Sequence, residues 1–237
     1  MYETTGKLRI WSVLVPAMIV PSIGALFYFV IFTDCWFTPI IYVTTKVFII
    51  AWPSVCAYSV LGKRIGRVIS RPTRHTQAIG TGILLGASIA ALMFGLMQTT
   101  LGQVVIASSE SIESKAHTLK IMRHYWLFAL FLSVAHSLIE EYYWRWFVFG
   151  NLRNIIAIPY AHGLAGLAFA THHIVITTQL FGLFWGIVLG GFVATGGIVW
   201  SLMYQRQKTL IGAWISHLII DLGIMVIGHR ILFGGYT

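Results

Sequence analysis

Stretches of about twenty apolar residues recur from one end of this chain to the other, and they limit its fold more than any other feature. A helix crossing the hydrocarbon core of a bilayer needs about 20 mostly apolar residues. Seven stretches meet that length, at 10–32, 39–61, 77–99, 125–149, 163–181, 182–204 and 209–228. Only 10% of the 237 residues are charged, against about 25% in an ordinary soluble domain, and the mean hydropathy is +0.81. The expectation is an all-α, polytopic membrane helix bundle of about seven transmembrane helices. It forms a single integral membrane domain over 1–237, without internal repeats or low-complexity tracts. Pro16 and Pro21 are expected to bend the first span and Pro53 the second, because each removes a helical hydrogen bond.

The first apolar run is too long for the core of a signal peptide and has no small-residue cleavage site, so it is expected to remain as a span. The charged loops then orient the bundle. With the N-terminus cytoplasmic, one side carries Lys7, Arg9, Lys63, Arg64, Arg67, Arg71, Arg74, Arg153, Arg206 and Lys208; the other carries Lys115, Lys120, Arg123 and Arg230. The excess of basic residues marks the first side as cytoplasmic. The formal net charge of +9 is accounted for by these loops, without nucleic acid as a partner. The segment "GQVVIASSESIESKAHTLKIMRH" becomes an outward-facing amphipathic or loosely ordered connector, and "NLRNIIAIPYAH" a short interfacial helix. Cys35 ends the first span while Cys56 lies deep in the second, so both are read as free thiols.

Three of the seven acidic residues, Glu140, Glu141 and Asp221, fall inside spans. A charge near the bilayer centre costs at least about 2.5–3.5 kcal/mol, and such residues face the protein interior and mark function. Glu141 and Arg145 are four apart with the acid first, the favourable order for a helical ion pair. Glu140 points about 100° away, towards the face of His136. Lys46 is also intramembrane, with a stem long enough to snorkel. In the fifth span, "FATHHIVI" sets Phe169 and His173 on one face and turns His172 away, as a packing residue. In the seventh, "SHLIID" sets His217 and Asp221 one turn apart. Such a pair serves as a structural bridge, a metal half-site or a tautomer-fixing catalytic pair.

Depth ties these residues together. Glu140, His173 and His217 lie about nine, ten and eight residues from the cytoplasmic ends of their spans, which puts all three roughly 12–15 Å below that surface. Three helices entering from alternating directions bring Glu, His and His to one level.

Taken in order, "EEYYWR", "FATHH" and "HLIID" resemble the motifs E-E-x-x-x-R, F-x-x-x-H and H-x-x-x-N/D of the CPBP intramembrane protease family. That family includes type II CAAX prenyl endopeptidases and bacterial bacteriocin-processing and self-immunity proteins. The resemblance covers roughly residues 125–225, the protease-like core. It implies hydrolysis of a peptide bond in a membrane-associated substrate, near the cytoplasmic side of the bilayer. Glu140 would be the general base, His173 would help to hold the water, and His217 would donate to the carbonyl oxygen. Glu141, Arg145 and Phe169 would brace the site or position substrate. Asp221 stands where prenyl-CAAX members usually have Asn, which leans towards the bacterial branches, an inner-membrane location and an unprenylated membrane peptide as substrate.

Several alternatives stand beside that reading. Glu140, His173, His217 and Asp221 offer the nitrogen and oxygen ligands that zinc takes, although no cofactor is favoured, since a Glu/His pair already supplies a base and water placement. A transmembrane proton relay or transporter would spread its titratable groups along the membrane normal, whereas these cluster at one depth. A b-type haem protein with His ligands from two helices, and a catalytically silent immunity or scaffold protein, are the remaining rivals.

Overall fold

The computed structural model describes residues 2–33, 35–62 and 75–234. The basic stretch holding Lys63, Arg64, Arg67, Arg71 and Arg74, half of the charge that oriented the bundle, lies outside the described residues. Within them the secondary structure is helical throughout, with no strand: α1 (residues 2–31), α2 (Thr38–Val60), α3 (His75–Leu96), α4 (Thr100–Ala107), α5 (Ser109–Thr118), α6 (125–152), α7 (158–181), α8 (183–207) and α9 (Ile211–Leu232). Among the described residues, five continuous helical runs are long and apolar enough to cross a membrane, and one of them is the 50-residue run Ile158–Gln207. Polar side chains such as Glu140, Glu141, Arg145 and His217 are buried, while Leu84, Leu127, Leu183 and Phe184 are exposed. That inverted distribution is what a lipid solvent selects.

The chain packs as two compact units. The first comprises residues 1–71 and 139–210, and its centre is the hairpin of α7 and α8. Gly182 breaks the 50-residue run, at φ 79° and ψ 167°, a backbone region essentially confined to glycine. The two limbs then run back along each other. Gly186 meets Thr178, Gly190 meets Ile174, and Gly197 lies against Gly166. Small residues at these crossings let the backbones approach closely. Towards the open end, His162 links the limbs through Ser201 (2.9 Å) and Gln205 (2.6 Å). The break expected between the spans 163–181 and 182–204 is therefore present.

Proline shapes α1 in a way that reaches the rest of this unit. Pro21 has no N–H, so the carbonyl of Ala17 loses its helical donor. The buried Tyr143 hydroxyl donates to that carbonyl at 2.7 Å. Trp52 Nε1 donates to the carbonyl of Val13 (3.0 Å), and Ser54 and Tyr142 share a hydrogen bond of 2.6 Å. These side chains fasten α1 and α2 to the second half of α6.

The second unit comprises residues 72–138 and 211–237. Gly82 packs on the backbone of Gly212, and Gly86 on Ser216 and Ile219, so α3 and α9 run parallel at close range. Trp214 Nε1 donates to the carbonyl of Val134 (3.0 Å) and the Tyr125 hydroxyl to that of Met225 (2.7 Å), holding the first half of α6 antiparallel to α9.

The connector after α3 is ordered, forming α4, α5 and a 3-10 turn at Met122–His124. One connector differs from expectation. The segment 151–162 contains no separate interfacial helix: it holds the end of α6, a short irregular link, and the start of α7 with Pro159 in its first turn. Proline fits there because the missing N–H has no helical acceptor in any case. Cys35 and Cys56 are free thiols.

Candidate active site

The acidic pair sits at a break in helical regularity. In α6 the α-helical segment Ser137–Glu141 lies between two π-helical stretches, Leu132–His136 and Tyr142–Phe149. Turns of this type recur at functional sites, where the widened backbone re-aims side chains. Glu141 and Arg145 form the ion pair that their spacing foretold, with Nε 3.2 Å from Oε2 and both side chains almost wholly buried. The guanidinium is also clamped between aromatic faces. Its Cζ lies 4.5 Å from the centroid of Phe169 and 4.9 Å from that of Trp200. Phe169, on α7, thus covers the cation that neutralises Glu141.

Glu140 is only 4% exposed, and α7 brings two imidazoles to it. His172 Nε2 is 3.4 Å from Glu140 Oε1. Donor atoms of Glu140, His172 and His173 all lie within 4.8 Å of one another. His173 is steadied by a 3.1 Å hydrogen bond from Nδ1 to the carbonyl of Phe169 and by the Phe169 ring, 4.7 Å away. A carbonyl can only accept, so Nδ1 carries the proton and Nε2 of a neutral ring offers a lone pair. The ammonium of Lys46 on α2 lies 5.3 Å from the centroid of Tyr42.

In the second unit, His217 is buried on α9 with Nε2 3.5 Å from Oδ1 of the partly exposed Asp221. His136 closes the π-helical stretch that precedes the acidic pair.

A family model described as Type II CAAX prenyl endopeptidase Rce1-like matches residues 122–223, an interval that contains Glu140, Glu141, Arg145, Phe169, His173, His217 and Asp221. Over this region the chain is similar to the CPBP intramembrane protease family, which supports the resemblance read from its motifs. No curated protein and no solved structure matches the chain. The matched region is thus similar to a protease type, carried on helices suited to the membrane. Its first two motifs meet in the first unit: E-E-x-x-x-R supplies the acids and the cation, and F-x-x-x-H supplies the ring over that cation and the imidazole beside Glu140.

His172 is the residue that reading the sequence set aside. A helical wheel turns it about 100° from His173, yet their ring centroids are 4.0 Å apart and both rings reach Glu140. A short sequence signal did exist, since two adjacent histidines in an apolar span double the polar cost of that turn.

Glu140, His172 and His173 present one oxygen and two nitrogens, the donor types of a catalytic zinc site. The 3.4 Å separation of Glu140 and His172 suits two ligands of a tetrahedral ion with bonds of about 2.0–2.1 Å.

Proposed function

We propose that this protein is an intramembrane endopeptidase that cleaves a membrane-associated peptide near the cytoplasmic side of the bilayer, using water activated by Glu140 and His173. The observation that carries this reading is the buried carboxylate of Glu140 with two imidazoles beside it, in the region that the CPBP family model matches. Glu141 is paired with Arg145, whereas Glu140 lies beside the imidazoles.

The residues divide the work as follows. Water donates one hydrogen to the unprotonated Nε2 of His173 and the other to the carboxylate of Glu140. Glu140 takes its proton as the water oxygen bonds to the scissile carbonyl carbon, giving a tetrahedral intermediate. The intermediate collapses with cleavage of the C–N bond, and Glu140 passes the proton to the departing amine. By the third motif, His217 donates to the oxyanion and Asp221 holds its ring.

In this reading the reaction is metal-independent, because one carboxylate and one imidazole already provide the base and the placement of water. Zinc, if bound, would be held by Glu140 and the histidines and would polarise the carbonyl. The substrate class is an unprenylated membrane peptide, such as a leader or sorting-signal helix, in a bacterial cytoplasmic membrane; the acid at position 221 supports that branch of the family.

The test is cleavage of a panel of membrane-spanning and C-terminally lipidated peptides in liposomes, with and without chelator. Cleavage that survives chelation and vanishes in Glu140→Gln is the expected result. Activity that is lost with a stoichiometric metal would replace the glutamate mechanism with a metal-dependent one.

A further inference from the structure

The two histidines beside Glu140 are not equivalent, and the difference lies in where each keeps its proton. His173 gives Nδ1–H to the Phe169 carbonyl, so Nε2 of the neutral ring is an acceptor. His172 has the opposite surroundings. Its Nδ1 is buried and makes no hydrogen bond among the described residues, whereas its Nε2 faces Glu140 Oε1 at 3.4 Å. A buried N–H left without an acceptor costs about 1–3 kcal/mol, and orphaned donors are rarer than under-satisfied acceptors. The proton of a neutral His172 therefore belongs on Nε2, where a carboxylate waits. A doubly protonated ring would strand Nδ1–H.

The ring is also held in plane. His172 stacks on Trp144 at an interplanar angle of 7° and a centroid distance of 5.8 Å, and meets the edge of Phe169 at 77°. Trp144 lies four residues beyond Glu140 on α6. One helix thus carries both the carboxylate and the platform that orients its partner.

We propose that His172 is a positioning residue of the Glu140 site: its Nε2–H anchors one carboxylate oxygen, while His173, in the opposite tautomer, accepts from the water. The proposal rests on the reading of Glu140 as the base. At 3.4 Å the contact is longer than a formed hydrogen bond, as catalytic contacts often are before substrate binds, and it shortens when the carboxylate engages water. His172 keeps its proton throughout. Its contribution is to present the second carboxylate oxygen in one orientation, an arrangement that neither the E-E-x-x-x-R nor the F-x-x-x-H motif contains.

Two substitutions and one spectrum decide it. His172→Phe keeps an aromatic ring against Trp144 but has no donor; His172→Gln restores an N–H. On the liposome peptide panel, His172→Phe is expected to lower kcat by about 10–100-fold, the loss typical when the partner orienting a functional side chain is removed. KM is expected to stay within about twofold, and His172→Gln to recover most of kcat. Equal loss in both variants, or none in either, overturns the proposal. Nitrogen-15 spectra of histidine-labelled full-length protein test it without turnover. The Nε2–H signal is expected to vanish in His172→Gln and the Nδ1–H signal in His173→Gln; a shared tautomer overturns it. If the wild type cleaves no peptide, the protease reading falls, and the spectra still decide the placement of the two protons.

Discussion

Arg145→Ala isolates the energetics of the buried pair. Arg145 and Glu141 are 1% and 0% exposed, with Nε 3.2 Å from Oε2, so deleting the cation leaves a carboxylate in apolar surroundings. Removing one partner of a buried pair costs about 3–5 kcal/mol. The faces of Phe169 and Trp200, 4.5 and 4.9 Å from the guanidinium carbon, add about 1 kcal/mol more. At about 2–4 °C per kcal/mol for a chain of this size, the melting temperature in detergent should fall by about 8–24 °C, with a lower yield of extractable protein. Arg145→Ala combined with Glu141→Gln should recover part of that loss, because neither charge is then stranded. Thermal scanning of the two variants beside the wild type measures both effects. An Arg145→Ala protein that melts within about 2 °C of wild type yet has no turnover would refute the bracing role and make Arg145 a substrate-binding group.

Three further outcomes follow from the geometry. Tyr143→Phe removes the donor to the Ala17 carbonyl and should cost about 1–2 kcal/mol; in a Pro21→Ala background, where the helix supplies its own donor, the thermal-scan penalty should shrink. Gly182→Ala forces a side chain into φ 79°, ψ 167°, a strain of about 1–3 kcal/mol; unchanged stability would mean that the hairpin turns elsewhere. Asp221→Asn should keep substantial activity, since an amide oxygen can still accept from His217; a drop in activity that added zinc restores, together with zinc in the elemental analysis, would make Asp221 a metal ligand.

Much of this was legible in the sequence because it depends on length and spacing. Apolar runs of span length placed the ends of the long helices to within five residues, except the start of α1, which lies eight residues earlier, and the i, i+4 rule placed Glu141 against Arg145. The break at Gly182 was expected only as a turn somewhere near 178–182. Glycine's freedom at positive φ fixes it there, and the small residues at Gly186, Gly190 and Gly197 pair the limbs. What stayed hidden was reach rather than direction. His172 points off the His173 face on a wheel, but an imidazole stacked on Trp144 spans that angle. The cap that Tyr143 places on the carbonyl freed by Pro21 joins residues 126 positions apart, beyond any local pattern.

Everything proposed for the chemistry turns on Glu140, and not its neighbour, being the base. Cleavage of the liposome peptide panel by purified wild-type and Glu140→Gln protein, matched for melting temperature, measures it directly. Burial of Glu140 beside His172 and His173 predicts a folded, extractable variant without detectable turnover. A Glu140→Gln protein that keeps about a tenth or more of wild-type activity would contradict that assignment, because removing a general base costs about 100-fold or more.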